Sequence, residues 1–507
     1  ANYTLGTDVD AAGTKYWNDG RGFAPVGPNG ATPFVGSFDG DGHAISNLVI
    51  DRSSSDPVGL FGVVGDQGTV RNVSVSSVDV DGEENVGGVA GDVFEGTVRN
   101  VSVSGSVNGS EDVGGLAGYL YAGSAAESAS TVTVSGEVNV GGLVGFVYDG
   151  NTSTVRASGA VHGPAPGQQG KNVGGLVGRY GGGTIHDASA SGNVSGPAYV
   201  GGLVGNIDEP TTALNISAAG DVDAGSSGGG LVGSNSGTVR DAFASGAVTG
   251  STTGGLVGRN VDSGTITDAY WDTVASGTST ATGQNDGSVD ATDLTTAEMT
   301  GAAAADNMAT LTFADPWITT DDYPVLRDHV TGLSLDLGIT SLAEGDTTDA
   351  TVTLSLLGGG TEAVTTVATY TTTDADIADV EAGTLTAAGG GSTTISANHA
   401  GASESIGVDV SAKTTGGSGG GNSGTADRSD NGTADRTSMA GDGAATGDGD
   451  GPTSDSIGRP SETSDGAETV TATVDRSETT DGRGPGFGLV GAVLALLATA
   501  LLARRRI

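Results

Sequence analysis

Cysteine is absent from the 507 residues, and only 4% of them are aromatic. Without cysteine there can be no disulfides, thiolate zinc sites, iron–sulfur clusters or cysteine nucleophile. So few aromatic residues argue against a single large enzyme core. Basic residues number 20 against 61 acidic ones, giving a net charge of −41. Nucleic acid is excluded as a partner, because binding it requires a basic footprint. The five histidines, at 43, 162, 186, 329 and 399, form no HExxH pair, which removes the helical zinc-protease motif. No GxSxG stands out, and the glycine blocks lack the lysine and following helix of a phosphate loop. Ala1 leads directly into polar, strand-like sequence without a signal peptide, so the chain reads as processed or truncated.

Glycine is what the chain has in excess: 92 residues, about 18%, against an ordinary share of roughly 7%. Much of it falls in a five-residue block, VGLFG at 58, GGVAG at 87, GGLAG at 114, then GGLVG at 141, 174, 201, 229 and 254. The spacings are 29, 27, 27, 33, 27, 28 and 25 residues. Between the blocks lies an alternating apolar and polar segment, TVRNVSV at 69 and 97, TVTV at 131, TIHDASA at 184 and TVRDAFA at 238. Alternation of period two predicts strands, and no helical periodicity runs through the region. A repeat of about 27 residues with two or three short strands predicts one coil of a β-solenoid. Stacking the coils would align Leu60, Val89, Leu116, Leu143, Leu176, Leu203, Leu231 and Leu256 in one interior ladder. A second ladder would hold Val73/Val75, Val101/Val103, Val132/Val134, Ala188/Ala190 and Ala242/Ala244, its narrowing side chains suggesting a tapering core.

These blocks resemble the GLUG motif, named for its glycine-leucine-any-glycine core. The segment FVGSFDGDGHAISNL at 34–48 resembles the opening coil of such proteins. DAYWD at 268, LTTAEM at 294, Trp317 and YPVL at 323 resemble their exit. The resemblance spans roughly residues 1–330 and implies a surface stalk or binding platform without catalytic residues. Family members also stand beside the metalloprotease unit of some immunoglobulin A peptidases, whose zinc motif this chain lacks.

At the C-terminus, residues 488–503 form an uncharged apolar run followed by Arg504, Arg505 and Arg506. Sixteen helical residues reach about 24 Å, short of a bilayer core of about 30 Å unless flanking residues help. The arginines mark the cytoplasmic end before processing. With Pro485, Gly486 and Phe487 just ahead, the tail resembles the PGF-type sorting signal of archaeal surface proteins. That resemblance implies an archaeosortase-type partner, removal of the tail and a lipid anchor in the membrane. An acidic chain with only three lysines (Lys15, Lys171 and Lys413) also resembles the proteins of halophilic archaea.

The expected organisation is all-β: a GLUG solenoid over 1–275, its cap over 276–330, a sandwich over 331–411, a linker over 412–484 and the sorting signal over 485–507. Segments 350–357, 364–372 and 393–398 read as sandwich strands. The stretch from Tyr370 to Val380 resembles bacterial Ig-like domains of the invasin type, with Tyr370 in place of the usual tryptophan. The linker is rich in Gly, Ser, Thr and Asp, with almost no apolar content, and should be disordered. Its 73 residues would span roughly 45–50 Å.

No catalytic, cofactor or metal residues are assigned. Asp39-Gly-Asp41 and the loop from Asp286 to Asp290 look like EF-hand fragments. With Gly287 at the invariant position, however, Thr282 and Gln284 fall where ligands belong, leaving at most a weak cation site. His43 reads as structural. Asn-x-Ser/Thr sequons at Asn2, Asn72, Asn100, Asn108, Asn151, Asn193, Asn215 and Asn431 are candidate glycan acceptors. At Asn72 and Asn100 the repeat itself dictates Asn-Val-Ser. The function expected is non-enzymatic adhesion or surface structure, with surface glycans or surface-layer proteins as partners. The alternative is a polysaccharide hydrolase or lyase on the same fold, which clustered carboxylates of raised pKa would support.

Overall fold

The structure, a computed structural model, describes residues 1–413 apart from 166, 169 and 262. The linker beyond Lys413, Asn431, Pro485, Gly486, Phe487, the apolar run and the terminal arginines lie outside the described residues. Among the described residues no helix is long and apolar enough to cross a membrane.

The first part is a parallel β-solenoid of about nine turns. One turn consists of Glu84–Gly87, Ala90–Phe94 and Thr97–Asn108. The long strand bends at Asn100 and Gly105, both at positive φ, so each turn has five straight segments where two or three were expected. Thr97–Asn108 pairs in parallel with Thr69–Asp81 on one side, and with Ser124–Ser130 and Thr133–Ser135 on the other. The segment that precedes and enters each glycine block forms a seven-stranded sheet of its own, from Glu84–Gly87 to Thr252–Gly254. In-register parallel stacking places like residues one above another, about 4.8 Å apart.

Leu60, Val89, Leu116, Leu143, Leu176, Leu203, Leu231 and Leu256 are all buried in the predicted ladder. Each contributes roughly 1.5–3 kcal/mol by leaving water. Val73, Val75, Val101 and Val103 are buried as expected, but Val132 and Val134 belong to a different column. Val134 pairs with Val107 and Val161, whereas Ser102 and Val103 face Ala129 and Ser130. In that coil Ser128 and Ser130 occupy the interior positions, with Ser128 donating to the Ala126 carbonyl. Two serines stand where the preceding coil has valines, and the valine alternation of this coil falls on the next segment.

The core does not taper evenly. A Cβ at Gly142, Gly175 or Gly202 would overlap the carbonyl of the following coil, and each of these glycines faces an alanine, Ala157, Ala190 or Ala218. The small residues fit this glycine column, which ends on Trp271, packed over Gly255. In the neighbouring column Ile216 stands between Ala188 and Ala242, so its side chains do not shrink steadily from coil to coil.

At the far end the parallel pairing continues to Ser288–Leu294, beyond the boundary expected at 275. Phe243, Tyr270, Met299, Met308, Leu311, Trp317 and Leu326 then close the stack as a separate cluster. Asp272 is buried there, accepting hydrogen bonds from the amides of Val274 and Ala275 and from the Tyr323 hydroxyl, the last at 2.6 Å. The exit residues singled out in the sequence therefore build the cap.

From Val330 the chain forms two small sheets around one core that includes Val352, Leu354, Leu385, Ile395 and Val408. One sheet contains Val330–Leu337, Thr347–Leu356, Thr384–Ala387 and Ala378–Glu381. The other contains Ser341–Ala343, Ala402–Ser411, Gly391–His399 and Thr369–Thr372. The strand expected over 364–372 is interrupted, because Thr365 turns to hydrogen-bond the Val352 backbone and pairing resumes only at Thr369. His329, buried against the solenoid, meets the Asp187 carbonyl at 3.0 Å and the Ser189 hydroxyl at 3.1 Å. Burial lowers its pKa to about 4, so it is neutral at this contact.

Candidate functional site

Strands Ala90–Phe94, Ala117–Tyr121 and Val144–Ala157 stack in register just after three successive glycine blocks. Period-two alternation turns Val93, Leu120 and Val147 inward and their neighbours outward. The outward neighbours form two columns: Asp92, Tyr119, Phe146 and Arg179 in one, and Phe94, Tyr121, Tyr148 and Gly181 in the other. In the second column, Phe94 and Tyr121 have centroids 4.8 Å apart and planes within 7°. Tyr121 and Tyr148 are 5.7 Å apart, again within 7°. In the first, Tyr119 and Phe146 are 5.3 Å apart, and the Arg179 guanidinium lies 5.1 Å over the Phe146 ring. Arg179 is fixed by Asp208 at 2.8 Å.

The two ends of the ring column are its most open parts, Phe94 at 46% and Tyr148 at 42% exposure. The position after Tyr148 is Gly181, so no side chain covers that ring; a Cβ there would meet the Tyr148 and Phe146 rings at ordinary to tight contact.

Beside the first column lies an acidic corner. Asp112, at φ 54°, accepts a hydrogen bond from the Asn139 amide at 2.7 Å, and Asn172 continues the ladder to Asn139. Burial raises the pKa of Asp112 to about 6. Asp92 is raised to about 7, by burial first and then by the charges of Asp56 and Asp112. Its Oδ1 is buried without a hydrogen-bond partner. Burial, then Asp112 and Asp92, push the Tyr119 phenol up to about 12. Among the described residues no three histidine, aspartate or glutamate side chains converge as metal ligands. Asp39 spends its carboxylate on the Asp41 amide, Arg71 and Asn72, and His43 sits 3.2 Å from Asp8.

The sequons are scattered over several coil positions. Asn72, Asn100 and Asn215 share one corner with Glu127, Thr154, Asp187, Asp241 and Asp268, all at φ between 50° and 54°. Asparagine and aspartate tolerate this left-handed region best. Their side chains also join the coils: Asn72 donates to Asp39, Asn100 to Asn72 and Asn215 to Asp187, at 2.9–3.0 Å. Asn108 is half-buried opposite Asp81. Asn2, Asn151 and Asn193 are exposed, and each uses its side-chain oxygen as an acceptor.

The ring face does not show in the repeat pattern, because its residues differ from turn to turn. The available signal was DVF at 92, YLY at 119 and FVY at 146, immediately after the blocks in a chain poor in aromatics.

The GLUG motif matches residues 169–195, and the PGF-CTERM motif matches residues 484–506. Halomucin of Haloquadratum walsbyi is 50% identical over 113 residues, 21% of this chain and 1% of its own length. A provisionally named Gly-rich membrane protein of Evansella cellulosilytica is 37% identical over 106 residues, 20% of this chain and 12% of its own. The chain thus spans only a small part of these relatives. A Bacteroides ovatus structure described as an immunoglobulin A1 protease aligns with 65% of this chain and 86% of its own, at 21% identity and a TM-score of 0.33. The motifs and the halomucin-like segment mark a cell-surface anchored β-solenoid protein.

Proposed function

We propose that this is a non-enzymatic adhesion or surface-structure protein of a halophilic archaeon, which meets its partner through the outer face of the solenoid. The observation that carries this reading is the column of aromatic rings left open to solvent, in a chain where aromatics are otherwise scarce. Exposed aromatic area is costly in water unless a partner covers it. The sheets after Val330 act as an Ig-like spacer. The Gly/Ser/Thr/Asp linker carries the folded part away from the membrane, and an archaeosortase exchanges the tail after Pro485 for a lipid. Intact mass and C-terminal peptide mapping of protein extracted from native membranes test the anchor: the expected result is loss of everything after about Pro485 with added lipid mass. Recovery of an unmodified chain ending at Ile507 would overturn it.

Surface glycosylation is part of the same proposal, and it should be selective. Glycopeptide mapping is expected to find sugar at Asn2, Asn151 or Asn193. Asn72, Asn100 and Asn215 should be bare, because their amide nitrogens are committed to the coil ladder. Sugar on Asn72 or Asn100 in folded protein would contradict that assignment.

A second reading, a polysaccharide hydrolase or lyase, is favoured by the raised pKa values of Asp92 and Asp112 beside the rings. It requires new reducing ends from a polysaccharide incubated with the protein, and their loss in Asp92→Asn.

A further inference from the structure

We infer that the notch over Gly181 is a binding site for an uncharged pyranose unit of a polysaccharide, stacked on the open face of Tyr148. This rests on the reading of the protein as a surface-binding protein, and it names the chemistry of the partner.

The notch arises from the repeat itself. Each coil places a side chain on top of the equivalent one below, and the column Phe94, Tyr121, Tyr148 stops at Gly181. Carbon atoms in contact lie about 3.5–4.0 Å apart, so parallel rings whose centroids are 4.8 and 5.7 Å apart must be laterally offset, like overlapping tiles. The last tile has nothing over it. A flat ring of the thickness of an aromatic group would continue the column and bury the exposed face of Tyr148 without moving the backbone.

Polar groups around the notch select what that ring can be. The Asp149 carboxylate is exposed beside it, with Gly182 folded against that side chain at φ 107°. Arg179, held by Asp208, borders it from the neighbouring column. An aromatic face carries negative charge density, and the C–H face of a pyranose presents weakly positive hydrogens to it. The equatorial hydroxyls of the same sugar then point sideways, where a carboxylate accepts them and a guanidinium donates to them. A small apolar platform with a few convergent polar groups is the usual composition of a ligand site. Charge decides against an acidic sugar: Arg179 is already neutralised by Asp208, while the exposed Asp149 carboxylate stands beside the notch. Ring stacking also survives brine, whereas long-range attraction between exposed charges is screened there. Because the columns run along the solenoid axis, an extended chain seated at Gly181 passes next over the partly exposed Tyr121 and Phe94.

The test uses the full chain in molar NaCl, titrated with neutral hexasaccharides of glucose and of mannose and followed by tyrosine fluorescence and calorimetry. Two variants accompany it: Tyr148→Ala removes the platform, and Gly181→Phe fills the notch by completing the column. The expected result is saturable binding by the native protein, weakened at least tenfold in both variants, whose circular dichroism melts match the native one. Equal binding by native protein and Gly181→Phe overturns the site. So does capture of a tyrosine-rich peptide, with no sugar binding, by the native protein. Binding of isolated cell envelopes is measured in parallel. Envelopes that bind native protein and Gly181→Phe alike reject the notch and keep the adhesion reading, while binding of neither envelopes nor sugars rejects both.

Discussion

Replacing Leu143 and Leu203 together with aspartate is expected to abolish the cooperative thermal melt of the solenoid. Both side chains are fully buried, in one column with Leu116, Leu176 and Leu231. Their backbones bond to one another from coil to coil, Leu143 to the Leu176 carbonyl and Leu203 to the Leu231 carbonyl, at 2.8 and 2.9 Å. An isolated carboxylate placed there finds no cation, since the column is apolar over its whole length. The cost is several kcal/mol at each site, even after the group protonates. A folded domain has only about 5–15 kcal/mol to lose. In a repeat stack each coil is stabilised by its neighbours, so two breaks divide the array into short pieces that cannot stand alone. Circular dichroism against temperature in molar salt measures this, with Thr133→Asp on an exposed strand position as control, expected within about 0.5 kcal/mol of native. An unchanged melt in the double variant would mean that the leucine column is not the interior.

That column was legible in the sequence because everything fixing it recurs: the leucine, its flanking glycines and the spacing. The additional strand of each turn was hidden, since Val86, Val113, Val140, Val173 and Val200 stand directly before the glycine block and read as part of it. The displacement of Val132 and Val134 was equally hidden, because a two-residue alternation looks the same in any column. Asn72 and Asn100 read as glycan acceptors and repeat residues at once, and Asn215 as an acceptor alone. Only their positive φ and their bonds to the preceding coil show the structural role. The ring face failed to appear for the opposite reason. Inward positions must repeat because each packs on its equivalent, while outward positions are free to vary. Asp92, Tyr119, Phe146 and Arg179 therefore occupy one column without resembling one another. In a solenoid the inward positions show in the repeat pattern, and the outward positions do not.

Asp92→Asn is expected to stabilise the protein at neutral and alkaline pH and to flatten its pH dependence. The ordinary carboxyl value is 3.8, and burial together with Asp56 and Asp112 raises that of Asp92 to about 7. Between those two values the folded chain holds a proton at this position that the unfolded chain has released. Stability linked to Asp92 is therefore fully present below about pH 4 and is lost as the pH rises to about 7. The interval from 3.8 to about 7 corresponds to roughly 4 kcal/mol. Asparagine has the same shape and carries no charge at any pH, so it avoids the cost of an ionised carboxylate buried without a hydrogen-bond partner. At pH 8 the variant should therefore melt several degrees above the native protein, and near pH 4 the two should coincide. Asp112 is pushed the same way, to about 6, but accepts the Asn139 amide in its ionised form, so Asp112→Asn should gain less. The opposite result at pH 8, with Asp92→Asn the weaker protein, would mean that the carboxylate is ionised and held by a cation from the brine. The corner beside Tyr119 would then be an ion site, with the rings as its wall.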